Sequence, residues 1–410
     1  MTVTFARRDR TPNRRNRRRR PGRSPRSPRA ALVAVVAIVG AATLAWRVAA
    51  SGPGARPSAP PPTVVRCLLR PVSIPSLSCT SAILVEAETG TVLYQKNADE
   101  RRAPASLAKM MTELVLLEDV AAGKLRLDEE IEVSANASTM GGSQVFLKHG
   151  EKQPAEALLH ALGIASANDA AMALAEHVAG SEKAFVARMN ARAKELGCRQ
   201  TKFVNVHGLD LPRQDKNWTS ARDLALIAGA LVRHPKALEI SSTWREPFRG
   251  GEFWLDNTNK SLKRFEGMDG LKTGWTPRAG GCFVGTASRD GVRLIAVILD
   301  SKPGRDRFDV AMKLLAAGFA PRPQWQEAVR VGAPVAAIEP AGEAVASKSP
   351  TTAGGTVRVL IEESREDALV ARYRPRGEDT PADVAPEVAG WVDLRLGDKT
   401  VATVPARPGR

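Results

Sequence analysis

Apolar positions along this chain follow two periods, and the switches between them mark out its elements. From Leu107 to Val120 they recur at helical spacing (Leu107, Met110, Met111, Leu114, Leu117) behind Pro104, which predicts a helix. The same spacing returns over Pro154–Ile164 (Ala157, Leu158, Leu159, Leu162), Ala170–Ala179, the amphipathic Ser181–Gly197, Leu224–Val232 and Arg305–Ala317. Thr219-Ser220-Ala221-Arg222-Asp223 supplies the start of the Leu224 helix. Two apolar runs between Ser81 and Tyr94 flank Glu88-Thr89-Gly90 and predict a hairpin. Cys282–Ala287 and Val292–Leu299 read as strands joined at Arg289-Asp290-Gly291, where Asp-Gly marks a tight turn. Strands at both ends with helices between them predict an α+β domain, one antiparallel sheet covered by helices. From about Gln324 the texture changes. Val329-Arg-Val, Thr356–Ile361, Ala368–Tyr373, Trp391–Leu396 and Thr400–Val404 alternate between Gly, Pro and Asp breaks, which predicts a small all-β domain. No internal repeat is present.

Charge changes the picture mainly at the N-terminus. The net charge is +16, but residues 1–30 hold twelve Arg and one Asp, so +11 lies there and only +5 is left for the rest. With two Tyr in all and no interleaving of basic and aromatic residues, the folded part is not expected to bind nucleic acid. The basic stretch runs into Ala30–Trp46, seventeen residues without a charge, closed by Arg47. Such a run is at the short limit for a membrane span. Basic residues ahead of it stay cytoplasmic, so the chain beyond Arg47 is expected to be exported. The long basic region favours an uncleaved anchor; Val48-Ala49-Ala50 keeps a cleaved signal as the alternative. Ser51–Pro62 is rich in Pro, Gly, Ala and Ser and reads as a linker. The expected organisation is an Arg-rich cytoplasmic tail (1–29), an anchor or signal segment (30–47), a linker (48–78), the α+β domain (79–322) and the C-terminal β domain (323–410). The four cysteines show no zinc spacing. Cys67 and Cys79 form a candidate disulfide across a short exported loop, while Cys198 and Cys282 read as small buried residues.

The candidate chemistry begins at Ser106-Leu-Ala-Lys109. A serine hydroxyl is a poor nucleophile until a base takes its proton, and a lysine serves as that base only when burial or positive charge lowers its pKa. At a helix start, the Ser106 N–H has no intrahelical partner and is free to hold an oxyanion. Downstream stand Ser166-Ala-Asn168, at a helix start, and Lys272-Thr273-Gly274, followed by Trp275 and the pair Gly280-Gly281. His207 is a competing base, but Gly208 beside it reads as a turn. His149, His160, His177 and His234 are scattered, and Asp269 reads as structural.

Three motifs in this order resemble the penicillin-recognising serine acyl enzymes, whose signature set is S-x-x-K, S-[DA]-N and K-[TS]-G. Within them the chain is similar to the low-molecular-weight penicillin-binding proteins that act as D-alanyl-D-alanine carboxypeptidases, from about Ile83 to Leu315. The resemblance extends to Phe203-Val204-Asn205, His207-Gly208-Leu209 and Asn257-Thr258-Asn259; Ala108 departs from the usual Thr or Ser. It implies a β-lactamase/transpeptidase-like catalytic domain and no metal or cofactor. It also implies peptidoglycan stem peptide as substrate, β-lactams as covalent inhibitors and a place in the cell envelope. By this resemblance Ser106 is the nucleophile, Lys109 the general base, Ser166 a proton relay, and Asn168 a clamp on Lys109 and substrate. Lys272, Thr273 and Gly274 bind substrate, and the Trp275 N–H completes the oxyanion hole. A β-lactamase is the less favoured reading, because Gln200–Asn205 lacks the glutamate that class A enzymes use. An endopeptidase shares every catalytic residue. The tail from Pro405 has no amphipathic helix of the kind by which family members often anchor, which strengthens the expectation of an N-terminal anchor.

Overall fold

The apolar runs pair as one central sheet in the computed structural model, which describes residues 70–320 apart from 75, 211–214, 303 and 305, together with the strand backbones within 64–69 and 326–406. In chain order, β1 (Val64–Leu69), β2 (Cys79–Glu86) and β3 (Val92–Lys96) precede a 3-10 turn (Ala105–Ala108) and α1 (Lys109–Ala121). Then come β4 (Glu130–Glu132), α2 (Ala135–Ser138), β5 (Lys152–Pro154), α3 (Ala155–Ile164), α4 (Asn168–Ala179), α5 (Glu182–Glu195), α6 (Ala221–Leu231) and α7 (Pro235–Ser242). The hairpin β6 (Arg245–Phe248) and β7 (Phe253–Asp256) leads to β8 (Met268–Thr276), β9 (Gly280–Arg289), β10 (Val292–Ser301) and α8 (Asp306–Gly318). Five more strands complete the order: β11 (Gln326–Val329), β12 (Val357–Glu362), β13 (Leu369–Pro375), β14 (Gly390–Leu396) and β15 (Lys399–Ala406).

The central sheet has the order β3-β2-β10-β9-β8 and is antiparallel throughout. It is buried on both faces, so its side chains alternate between two cores rather than between core and water. Ile83, Val85, Ile295 and Val297 face the helical layer of α1 to α7. Ala82, Leu84, Leu294, Ala296 and Ile298 face Phe308, Ala311, Leu314 and Leu315 of α8. That double burial is why β9 and β10 read as near-continuous apolar runs. Each fully buried Leu, Ile or Phe contributes about 1.5–3 kcal/mol. At the heart of the helical layer α1 is buried on all sides, including its polar residues Lys109, Thr112, Glu113 and Asp119. Arg188 holds Asp119 at 2.6 Å, and Thr112 donates to the Val206 carbonyl at 2.7 Å. β8 ends the sheet, and its free side runs past the Ser106 turn.

Several elements differ from the pattern reading. Ser106 lies in the 3-10 turn, and the α-helix starts only at Lys109. Helix α7, with Pro235 in its first turn, and the β6–β7 hairpin are not resolved by periodicity, because both are short. Within the expected linker, Val64–Leu69 forms β1, which sits between β11 and, in parallel, β12. Strands run from Gln326 onward as the alternation predicts, with a second three-stranded sheet, β13-β14-β15. Cys79 is a free, buried thiol. The Arg-rich tail, the 30–47 segment and the linker as far as 63 lie outside the described residues. Among the described residues, no helix is long and apolar enough to cross a membrane.

Candidate active site

Because a 3-10 helix has three residues per turn, residues i and i+3 eclipse, and Lys109 stands directly over Ser106. The Lys109 Nζ donates to Ser106 Oγ at 3.2 Å and to the His207 carbonyl at 2.8 Å. The amine is completely buried. Burial first, and Lys272 second, hold it well below the ordinary lysine range; the charge of Asp169 acts in the opposite sense. A lysine so placed is a ready proton acceptor for the hydroxyl it touches. The turn itself is strained: Ala105 has a left-handed backbone (φ 48°), a cost of about 1–3 kcal/mol that persists where surrounding structure imposes it. The surroundings do impose it. A Cβ on Gly208 would lie 1.9 Å from the Ala105 carbonyl oxygen, so the His207-Gly208 loop presses directly on the turn.

Ser166 and Asn168 stand where α3 gives way to α4. Ser166 is also left-handed (φ 62°), and its buried hydroxyl has no partner among the described residues. Asn168 donates through Nδ2 to the Gly141 carbonyl at 2.6 Å and through its backbone N–H to the Ser143 carbonyl at 2.7 Å, but its Oδ1 is buried and unpaired among the described residues. Two buried polar atoms without a partner among the described residues are expected where a ligand supplies the missing partners. Asp169 fixes this arrangement. Its carboxylate accepts from the N–H groups of Val145 (3.0 Å), Leu147 (3.1 Å) and Ala170 (3.0 Å), tying the 141–147 loop to the start of α4. Gly142 is left-handed (φ 78°), and a Cβ there would stand 2.7 Å from Asn168 Nδ2.

The third motif lies on β8. A Cβ on Gly274 would meet the Pro104 carbonyl oxygen at 3.0 Å, Ala105 Cβ at 3.1 Å and Ser106 N at 3.2 Å, so the bare backbone of Gly274 is what lets strand and turn meet. Lys272 is buried, makes among the described residues only a 3.5 Å bond to the Thr273 carbonyl, and is pushed down to about 8 by burial, with Glu113 opposing. Thr273 Oγ1 donates to Thr258 Oγ1 at 2.7 Å, and Asn259 donates to the Gly270 carbonyl at 3.2 Å, which packs the Asn257–Asn259 segment against β8. Trp275 leaves the site outward, half exposed, opposite Gly281.

His207 is no base. Burial and the Lys109 charge push its imidazole down to about 3, and Nδ1 accepts the Leu209 N–H at 3.1 Å, so the ring is neutral. Its Nε2 lies 3.7 Å from Glu182, too far for a hydrogen bond. The carbonyl of His207, not its ring, serves the site. Asp269 pairs with Arg293 at 2.7 Å and is structural. Two groups near the site escape sequence reasoning. Arg307 brings its Cδ to 3.6 Å from where a Gly281 Cβ would be, with Nε buried and unpaired among the described residues. Glu113 is a buried acid one turn along α1 from Lys109. Neither carries a motif; only burial reveals them. A cluster of Glu156, His160 and Glu239 has the spacing of metal ligands, but the Lys236 ammonium already sits between the acids, 2.7 Å from Glu156 and 2.9 Å from Glu239.

Comparison with known proteins points to one family. The family described as D-alanyl-D-alanine carboxypeptidase matches residues 70–303. The chain is 39% identical to D-alanyl-D-alanine carboxypeptidase DacF of Bacillus subtilis over 243 residues, 58% of this chain and 62% of that protein. It is 34% identical to DacC of Escherichia coli over 351 residues, 82% of this chain and 84% of the relative. Among solved structures it resembles ampicillin-bound penicillin-binding protein D2 of Listeria monocytogenes (34% identity, TM-score 0.56, 60% of this chain and 99% of that one). Penicillin-binding protein 6B of Escherichia coli matches over 82% of this chain and 97% of its own (26% identity, TM-score 0.59).

Proposed function

The chain belongs to the D-alanyl-D-alanine carboxypeptidase family, and on that premise we propose that it removes the terminal D-alanine from peptidoglycan stem pentapeptides through an acyl-enzyme on Ser106. The observation that carries this reading is the 3.2 Å approach of a buried amine, held below the ordinary lysine range, to the Ser106 hydroxyl. Lys109 takes the Ser106 proton as Oγ attacks the carbonyl carbon of the penultimate D-alanine. The N–H groups of Ser106 and Trp275 hold the oxyanion of the tetrahedral intermediate. Ser166, whose hydroxyl both accepts and donates, passes the proton to the departing amine. Asn168 holds the substrate backbone and aligns Lys109. Lys272 and Thr273 take the substrate's terminal carboxylate, and Gly274 lets the substrate lie against the strand. Water then attacks the ester carbonyl, Lys109 accepts its proton, and the acid is released with Ser106 restored.

A penicillin presents an amide and a carboxylate to the same groups, so it acylates Ser106 and leaves slowly; the ampicillin-bound Listeria relative supports this. We further propose that the strands from Gln326 onward form a separate all-β module. The segment 30–47 holds the enzyme on the outer face of the cytoplasmic membrane, within the envelope where its substrate lies.

The test is incubation of the purified protein with a pentapeptide ending in D-Ala-D-Ala and assay of free D-alanine. Wild type releases it, and Ser106→Ala releases none and takes no label from a fluorescent penicillin. Labelling that survives Ser106→Ala would place the nucleophile elsewhere. Cleavage confined to cross-bridged dimers would identify an endopeptidase.

A further inference from the structure

Glu156, His160 and Glu239 take no part in the acyl-transfer steps, yet one oxygen of each acid and one ring nitrogen of His160 lie within 4.8 Å of one another. Glu156 and His160 stand four residues apart on α3 and so share a helix face, while Glu239 comes from α7. A cation already separates the two acids: Lys236 Nζ is 2.7 Å from Glu156 Oε1 and 2.9 Å from Glu239 Oε1. His160 is 9% exposed. Its Nδ1 is 2.7 Å from Glu246 Oε2 of β6, whereas its Nε2 is buried with no hydrogen-bond partner among the described residues. A carboxylate only accepts, so Nδ1 carries the ring hydrogen and the neutral ring keeps its lone pair on Nε2. An imidazole held by a carboxylate at one nitrogen, with a bare lone pair at the other, is prepared as a metal ligand. A bound ion is one of the few things that explain such a buried, unmatched atom.

We propose that Glu156, His160 and Glu239 bind a divalent transition-metal ion, zinc in the first instance, which takes the place of the Lys236 ammonium between the two carboxylates. Charge favours the exchange. Glu156, Glu239 and Glu246 set three carboxylates against the one ammonium of Lys236, and a divalent ion meets that excess better than an ammonium does. Ligand type selects the metal: calcium and magnesium favour oxygen shells, whereas one imidazole with two carboxylates suits zinc, with water as the fourth ligand. Zinc sits about 2.0–2.2 Å from such ligands, so the three side chains must close in. They have the freedom to do so, because the side chains of Glu156 and Glu239 are half exposed, and that of Lys236, partly exposed, swings into water with its charge intact. Glu246 stays as the outer partner that fixes the ring. The ion ties α3 to α7. Since α3 leads directly into Ser166 and Asn168, zinc braces the frame of the active site without touching substrate.

The test is titration of zinc alone into the detergent-solubilised full chain, purified without a histidine tag and read by calorimetry and thermal melting. Wild type should bind one more zinc ion than His160→Gln or Glu239→Gln. Glu246→Gln should weaken that site by about 10- to 100-fold, as loss of an outer partner does. Lys236→Met, which removes the competing ammonium, should tighten it. With zinc at about 100 times the dissociation constant, the Tm of wild type should rise by about 5 °C, and that of His160→Gln should not follow. Equal zinc uptake by wild type, His160→Gln and Glu239→Gln, or a rise in Tm that His160→Gln shares, overturns the proposal. Weaker binding by Lys236→Met overturns the exchange of ammonium for metal. If His160→Gln does not fold, Glu239→Gln, changed at a half-exposed side chain, decides in the same way.

Discussion

Replacing Gly274 with Ala adds one carbon at the place where β8 meets the nucleophile turn. The new Cβ would sit 3.0 Å from the Pro104 carbonyl oxygen, 3.1 Å from Ala105 Cβ and 3.2 Å from Ser106 N. Two of those three are backbone atoms, and none belongs to a flexible side-chain end that could swing away. The turn has little room to move, because Gly208 also lies against it, where a Cβ would be 1.9 Å from the Ala105 oxygen. The strain must therefore appear as a shift of a few tenths of an ångström between Ser106 and β8. Overpacking of this kind costs about 1–3 kcal/mol of stability. Misplacing a nucleophile and its oxyanion donors by a fraction of an ångström costs up to about 100-fold in rate, or about 2.7 kcal/mol of transition-state stabilisation. The assay is stopped-flow acylation by a fluorescent penicillin, with thermal melting as the control for folding. Expected are a folded protein with a modestly lower Tm and acylation slowed by about 10- to 100-fold. A folded Gly274→Ala protein acylated within about three-fold of wild type would show that strand and turn do not need this closeness, and the geometric account of the site would fail.

Two other perturbations probe the frame around the site. Asp169→Ala removes the acceptor of three N–H bonds (Val145, Leu147, Ala170) and should cost about 2–4 kcal/mol in urea unfolding, with acylation slowed because the loop holding Asn168 is released; unchanged stability would contradict the role given to Asp169. His207 has a folded pKa of about 3 against an ordinary 6.5, so the unfolded state binds the proton first, and the stability due to its neutral burial is lost as pH falls below about 6.5. Wild type should therefore lose up to about 1.4 kcal/mol per pH unit from this group between those values, and His207→Gln should flatten that slope; equal slopes would mean that the ring is not the source.

The parts of the molecule that can be read from the sequence are those where one period runs long enough to show. Leu107 to Leu117 points to α1, and Val292–Leu299 to β10, because each buries a whole stretch. The three motifs are legible because their spacing is tied to local elements: Ser106 and Lys109 to a single turn, Lys272 to Gly274 to one strand. The features that escape depend on distant packing. Glu113 looks like any polar residue of a helix until the packing of α3 and α7 is seen to bury it. Ser166 carries no mark of its left-handed backbone. The use of the His207 carbonyl in place of its ring depends on where a loop crosses Lys109, which no local pattern encodes. Val64–Leu69 reads as linker because a six-residue strand behind a Pro-rich tract finds its parallel partner, Val357–Glu362, only on the far side of the catalytic domain in the chain.

That strand has a practical consequence for anyone trimming this protein to its catalytic part. β1 is the middle member of its sheet, with β11 on one side and β12 on the other. Cutting the chain at residue 70, where similarity to the family begins, would delete the centre and leave two flanking edges with their hydrogen-bonding groups bare. Such edges invite self-association, so a soluble fragment keeps its shape best when it starts ahead of Val64, or when it ends before Gln326 and leaves both flanks out.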